Sequence, residues 1–102
     1  MNKNPNGVMR ILYDKKKLKK VDLKIVKRLV MFLYYNSKVK RTPLAMQCNM
    51  NYDRCVLYLD WLSYMGFINK QTSKMGFEVI YLNDKGRRLY DLVKDSEDDF
   101  KI

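Results

Sequence analysis

The sequence contains no histidine. That removes His metal ligands, His general bases, and the Ser-His-Asp and Cys-His triads. Cysteine is nearly absent, with only Cys48 and Cys55. Two thiols cannot supply a four-ligand zinc site within one chain, and their spacing matches no redox motif or disulfide framework. They read as buried, reduced packing residues of an intracellular protein. Glycine and proline number four and two, and none of the glycines forms a phosphate-cradling loop. Asp53 and Asp60, seven apart on one helix face, read as solvated charge rather than an acid–base pair. No apolar run nears the roughly 20 residues of a membrane span. Lys15, Lys16, Lys17, Lys19 and Lys20 interrupt the apolar core that a signal peptide requires. The expectation is a cytoplasmic protein that is not an enzyme and takes no cofactor, metal or small-molecule ligand.

What is present is charge and a modest core. The chain has 102 residues and is 47% hydrophobic, enough for one packed domain. A domain this small gains from dimerisation. Twenty-one Lys and Arg against eleven Asp and Glu leave +10 at neutral pH. That balance points to a polyanion: nucleic acid first, an anionic membrane surface second. The charge is uneven, with net +8 over residues 1–28 and net −3 over residues 95–102. Residues 1–20 read as a basic flexible arm, 21–95 as the domain, and 96–102 as an acidic tail. The arm has a helical stretch near residues 8–13. It suits a phosphate backbone or a minor groove, or serves solubility alone. The tail suits repelling DNA or covering basic surface.

Periodicity gives the elements. Asp22 caps a helix reaching about Asn36, with Ile25, Leu29, Phe32 and Leu33 on one side and Val26 and Val30 beside them. Residues 37–41 suit a brief edge strand around Val39. Thr42-Pro43 suits a helix start, giving a short helix over 43–48. Asn49-Met50-Asn51 makes a turn, and Asn51 caps a third helix over about 52–65, closed by Gly66. Strands over 67–72 and 77–82 flank Ser73-Lys74-Met75-Gly76, a hairpin turn with Gly where positive φ is easiest. Asn83 or Asp84 caps a last helix over about 85–95. Gly86 inside it is tolerated if the first turn packs closely on a neighbour.

The order is α-β-α-α-β-β-α: mainly helical, with a helix-turn-helix followed by a β-hairpin wing. The stretch Tyr58-Leu59-Asp60-Trp61-Leu62-Ser63-Tyr64-Met65-Gly66-Phe67-Ile68 resembles a recognition helix running into the first wing strand of winged helix-turn-helix DNA-binding proteins. Tyr81-Leu82-Asn83-Asp84-Lys85-Gly86-Arg87-Arg88-Leu89 resembles the exit from the wing in the same families. The resemblance covers about residues 22–94. It is closest to small archaeal or archaeal-virus winged-helix regulators and chromatin proteins. In that group the last helix often extends into a dimer-forming coiled coil; here it is short and runs into acidic residues.

The resemblance implies double-stranded DNA as partner and a homodimer reading two half-sites. With Leu59 at the centre of the third helix's buried face, Tyr52, Cys55, Val56, Leu62 and Ser63 fall within about 60° of it. Asn51, Arg54 and Tyr58 then point outward near the helix start and become candidate base or phosphate contacts. Tyr52 in the first turn joins them. Alternatively, Asn51 is only a cap and Arg54 only an ion-pair partner. Lys38, Lys40, Arg41 and Thr42 precede or open the second helix, where winged helices meet the backbone. Lys70 and Lys74 lie on the wing. Leu57, Trp61 and Tyr64 form an outward apolar stripe that suits a partner or intrachain cover. Leu89, Leu92 and Val93 on the last helix are further interface candidates. The leading function is a transcriptional regulator or small chromatin protein. The alternatives are a winged-helix protein-interaction module and RNA binding through the arm.

Overall fold

The computed structural model describes Leu18 and residues 20–96. Most of the expected arm, including its helical stretch, and most of the acidic tail lie outside these residues. The fold is a winged helix: among the described residues there are four helices and one antiparallel hairpin. Helix α1 (Leu23–Tyr35) opens on Asp22, whose carboxylate accepts from the Lys24 N–H at 2.9 Å. Its buried face is Val26, Leu29, Val30 and Leu33, with Ile25 and Phe32 half-buried at the edge. The face is thus centred nearer Val26 and Val30 than the 25/29/32/33 spacing indicated.

The brief edge strand is reduced to one bridge. Val39 and Ile80 exchange both backbone hydrogen bonds, at 3.0 and 2.8 Å. Helix α2 (Arg41–Gln47) begins two residues earlier than expected. Lys40 is its N-cap without a side-chain bond, so Thr42 lies inside the first turn and caps nothing. The turn that follows uses Asn49 at φ 56°, a left-handed conformation that Asn accepts more readily than most residues.

Helix α3 (Tyr52–Tyr64) is capped by Asn51, whose side-chain oxygen accepts from the Arg54 N–H at 3.1 Å. Its buried residues are Cys55, Tyr58, Leu59 and Leu62. That i, i+3, i+4, i+7 stripe is centred roughly 50° from Leu59 at 100° per residue. The rotation carries Tyr58 inside and leaves Tyr52 exposed, correcting both placements. Val56 and Ser63, expected in the core, are half-buried. Tyr58 is fully buried because α3 packs under the start of α1, where the Asp22 N–H donates to the Tyr58 hydroxyl at 2.9 Å.

Strands β1 (Ile68–Thr72) and β2 (Glu78–Leu82) pair in the register Ile68–Leu82, Lys70–Ile80, Thr72–Glu78. Helix α4 (Asp84–Val93) follows at once. Asn83 joins the parts. Its side-chain oxygen accepts from the Gly86 N–H at 2.9 Å, and its amide donates to the Gly66 carbonyl and to Asn69 Oδ1 at 2.9 and 3.0 Å. One residue therefore satisfies a helix start, the end of α3 and a wing strand. The core is a single cluster drawn from all four helices and the hairpin, in which Cys48 and Cys55 are buried free thiols.

Candidate nucleic-acid interface

The candidate residues fall into three groups. The first is the start of α3. Asn51 and Arg54 are both exposed. The Asn51 oxygen is committed to its cap, so its amide N–H groups are what it can offer a base or phosphate. Arg54 lies 5.5 Å from the Tyr58 ring centroid and, with Lys20 and Lys24, lines a shallow cleft between the starts of α1 and α3. Lys20 and Lys24 had no place among the expected contacts. Their approach to Arg54 follows from the Asp22–Tyr58 hydrogen bond, and no period along the chain reveals a contact across 36 residues. Tyr58 itself has no exposed surface and cannot touch DNA in this fold. Tyr52 is half-exposed and hydrogen bonded to Arg41.

The second group is the approach to α2. Lys40 Nζ sits 3.7 Å from the Phe77 ring centroid, and Lys38 Nζ sits 5.9 Å from that of Tyr81. Arg41 pairs with Glu78 at 3.0 Å. Burial works to lower the Arg41 pKa. The Tyr52 hydrogen bond and the Glu78 charge outweigh it and raise the value, fixing Arg41 as a cation. Lys38, Lys40 and Arg41 are thus held against β2 and its turn. Lys38 and Lys40 keep exposed cationic ends, whereas Arg41 is largely engaged within the chain. Thr42 is exposed in the first turn of α2, with no role as cap.

The third group is the wing. Lys70 is exposed and, by the pairing register, lies on the sheet face that carries Ile80 and Glu78, the face that meets α2. Lys74 is exposed at the apex of the turn.

The apolar stripe on α3 divides. Trp61 packs against Phe67, with ring centroids 6.2 Å apart, and against the core. Leu57 is half-buried, and Tyr64 alone stands free at 87% exposure. On α4, Leu89 and Val93 pack on the core while Leu92 is 79% exposed. Among the described residues no helix is long and apolar enough to cross a membrane.

No family model and no curated protein matches the chain. Among solved structures it is similar to two MarR-family transcriptional regulators from Silicibacter pomeroyi. One aligns with a TM-score of 0.63 at 19% identity, covering 68% of this chain and 47% of the regulator. The other, from strain DSS-3, aligns with a TM-score of 0.63 at 22% identity, covering 72% of this chain and 52% of the regulator. At these identities the likeness is one of fold, and the fold is the winged helix. The chain spans about half the length of the structures it matches. These neighbours bear on the winged-helix part of the resemblance and not on its archaeal part.

Proposed function

We propose that this chain binds duplex DNA and acts as a transcriptional regulator. The observation that carries the reading is the exposed start of α3 in a helix-turn-helix, where Arg54, beside Asp53, shares a cleft with Lys20 and Lys24, together with the exposed lysines of the α2 approach and the wing. The first turn of α3 enters the major groove, with Arg54 as the base-reading residue and Asn51 offering its amide. Lys38, Lys40, Lys70 and Lys74 meet the phosphates. Glu78 does not oppose this, because Arg41 neutralises it. The protein works as a homodimer, for which Leu92 is the outward apolar residue of α4.

Fluorescence anisotropy of labelled duplexes across a salt titration tests the reading. Several phosphate contacts give a log–log slope of about −0.9 for each. Tighter binding to the DNA upstream of the protein's own gene marks a specific regulator, and no preference marks a chromatin-like binder. Absence of binding at low salt overturns the proposal and leaves the protein-interaction module, which the 87% exposed Tyr64 favours.

A further inference from the structure

We infer that Met75 is a wedge that enters the minor groove and unstacks a base step, so that the protein bends the duplex it binds; this rests on the duplex-DNA reading above. The tip of the wing is a closed, well-defined turn. Gly76 N–H donates to the Ser73 carbonyl at 2.9 Å, and Ser73 N–H donates to the Phe77 carbonyl at 2.8 Å. With Gly76 at φ +91°, this is a type I turn with a bulged glycine. Its two corner residues are Lys74 and Met75. Turn corners are ordinarily polar or proline, for reasons of local hydrogen bonding and φ. Here one corner is a cation and the other an unbranched thioether at 81% exposure.

The turn is also held on a braced ribbon. β1 is exposed beyond Ile68, while β2 is buried at Val79 and Ile80, opposite Gln71 and Lys70, so the part of the ribbon exposed on both strands is the Thr72–Glu78 pair and the turn it closes. The flank is tied to α2 by the Arg41–Glu78 ion pair at 3.0 Å and by Lys40 over Phe77 at 3.7 Å. A wedge must not fold back when pushed, and these contacts resist that. Lys74, next to Met75 in the turn, and Lys70, further back on β1, supply the phosphate attraction. An apolar side chain beside a cation, at the end of a narrow two-stranded ribbon, fits a groove rimmed by phosphates and floored by stackable bases. Minor-groove proteins kink DNA with apolar wedges of this kind, by about 20–90°.

The test is ligase-catalysed ring closure of short duplexes, on the order of 100–150 bp, near the persistence length of DNA. The anisotropy titration comes first, on the full chain and on Met75→Ala, Met75→Leu and Met75→Lys, with circular dichroism to show that each is folded. Saturating wild-type protein is expected to raise the circle yield about tenfold over free DNA. Met75→Leu keeps the effect. Met75→Ala and Met75→Lys bring the yield back toward that of free DNA, and Met75→Ala leaves the salt slope of binding unchanged. Binding without a rise in circle yield overturns the wedge and leaves the DNA reading standing, as does equal bending by Met75→Ala. Failure of the wild type to bind any duplex overturns both, and the anisotropy titration identifies the DNA reading as the fault.

Discussion

At the root of the wing Gly86 has no room for a methyl group, whereas at the tip Gly76 has nothing within 4 Å. A Cβ on Gly86 would lie 2.2 Å from the Phe67 carbonyl oxygen and 2.8 Å from Leu82 Cδ2. Gly76 is needed for its φ of +91° alone. The root is defined by packing and shared hydrogen bonds, and the tip by local turn geometry. That division suits a protein whose body must hold an exposed element at a fixed place. The body is set by long-range contacts, so its residues answer to stability. The tip touches little, so its residues are free to answer to a partner.

The sharpest way to break the comparison is to put a methyl group at each end. Gly86→Ala must push α4 away from β1 against backbone, which cannot yield as a flexible side chain would. We expect a loss of about 3 kcal/mol or more and a fall in Tm above roughly 10 °C, read by thermal denaturation. Gly76→Ala costs about 1 kcal/mol from left-handed strain and leaves the body unchanged. Equal losses at the two positions would end the distinction.

Next in size is a pH effect confined to the rooted half. Burial pushes the Cys55 thiol up from 9.0 to about 11, with Cys48 adding to the rise and Arg41 opposing it. A raised folded-state pKa means that stability is whole below pH 9 and drains away as pH climbs toward 11, because the unfolded chain releases this proton first. About 2–3 kcal/mol is at stake over that window. Urea midpoints of the wild type and Cys55→Ala across pH 8–11 isolate the thiol from Tyr90, which its hydrogen bond to Tyr35 pushes up to about 12. The expected result is a shallower decline in the variant. Parallel declines would remove Cys55 as the cause.

Tyr58→Phe follows, at about 1–2 kcal/mol, because it strips the Asp22 N–H of its acceptor where α1 meets α3. Urea denaturation reads it. The same residue shows where sequence reasoning reaches and where it stops. Among the described residues, periodicity, caps and turn glycines indicate each helix, both strands and the hairpin turn, because those signals are local. Asp22, Asn51 and Asn83 cap as their residue types require, and Gly66 closes α3 at φ +84°. The rotation of α3 about its axis was not legible. Tyr58 and Tyr52 are both amphipathic, and only the neighbour at Asp22 decides which turns inward. Lys24 beside Arg54 was hidden for the same reason. Thr42-Pro43 misled because a favourable cap and N1 pair was available, yet the Val39–Ile80 bridge and the Arg41–Glu78 pair start the helix earlier.

The smallest stability effect bears most directly on how the two regions meet. The Arg41 and Glu78 side chains are 32% and 41% exposed, so their 3.0 Å ion pair is screened and contributes at most about 0.5–1 kcal/mol. Glu78→Gln keeps a hydrogen-bond acceptor for Arg41 and is expected to change stability by less than about 0.5 kcal/mol. Its electrostatic consequence is larger than its structural one. The substitution removes the carboxylate on the wing face that carries Lys70 and frees the charge of Arg41 for an anion. Duplex affinity at low salt should therefore rise several-fold, with a steeper salt slope, while Tm stays nearly constant. A fall in affinity would mean that bracing the wing through Glu78 matters more than the charge it brings. A fall in Tm of several degrees would make this pair part of the root.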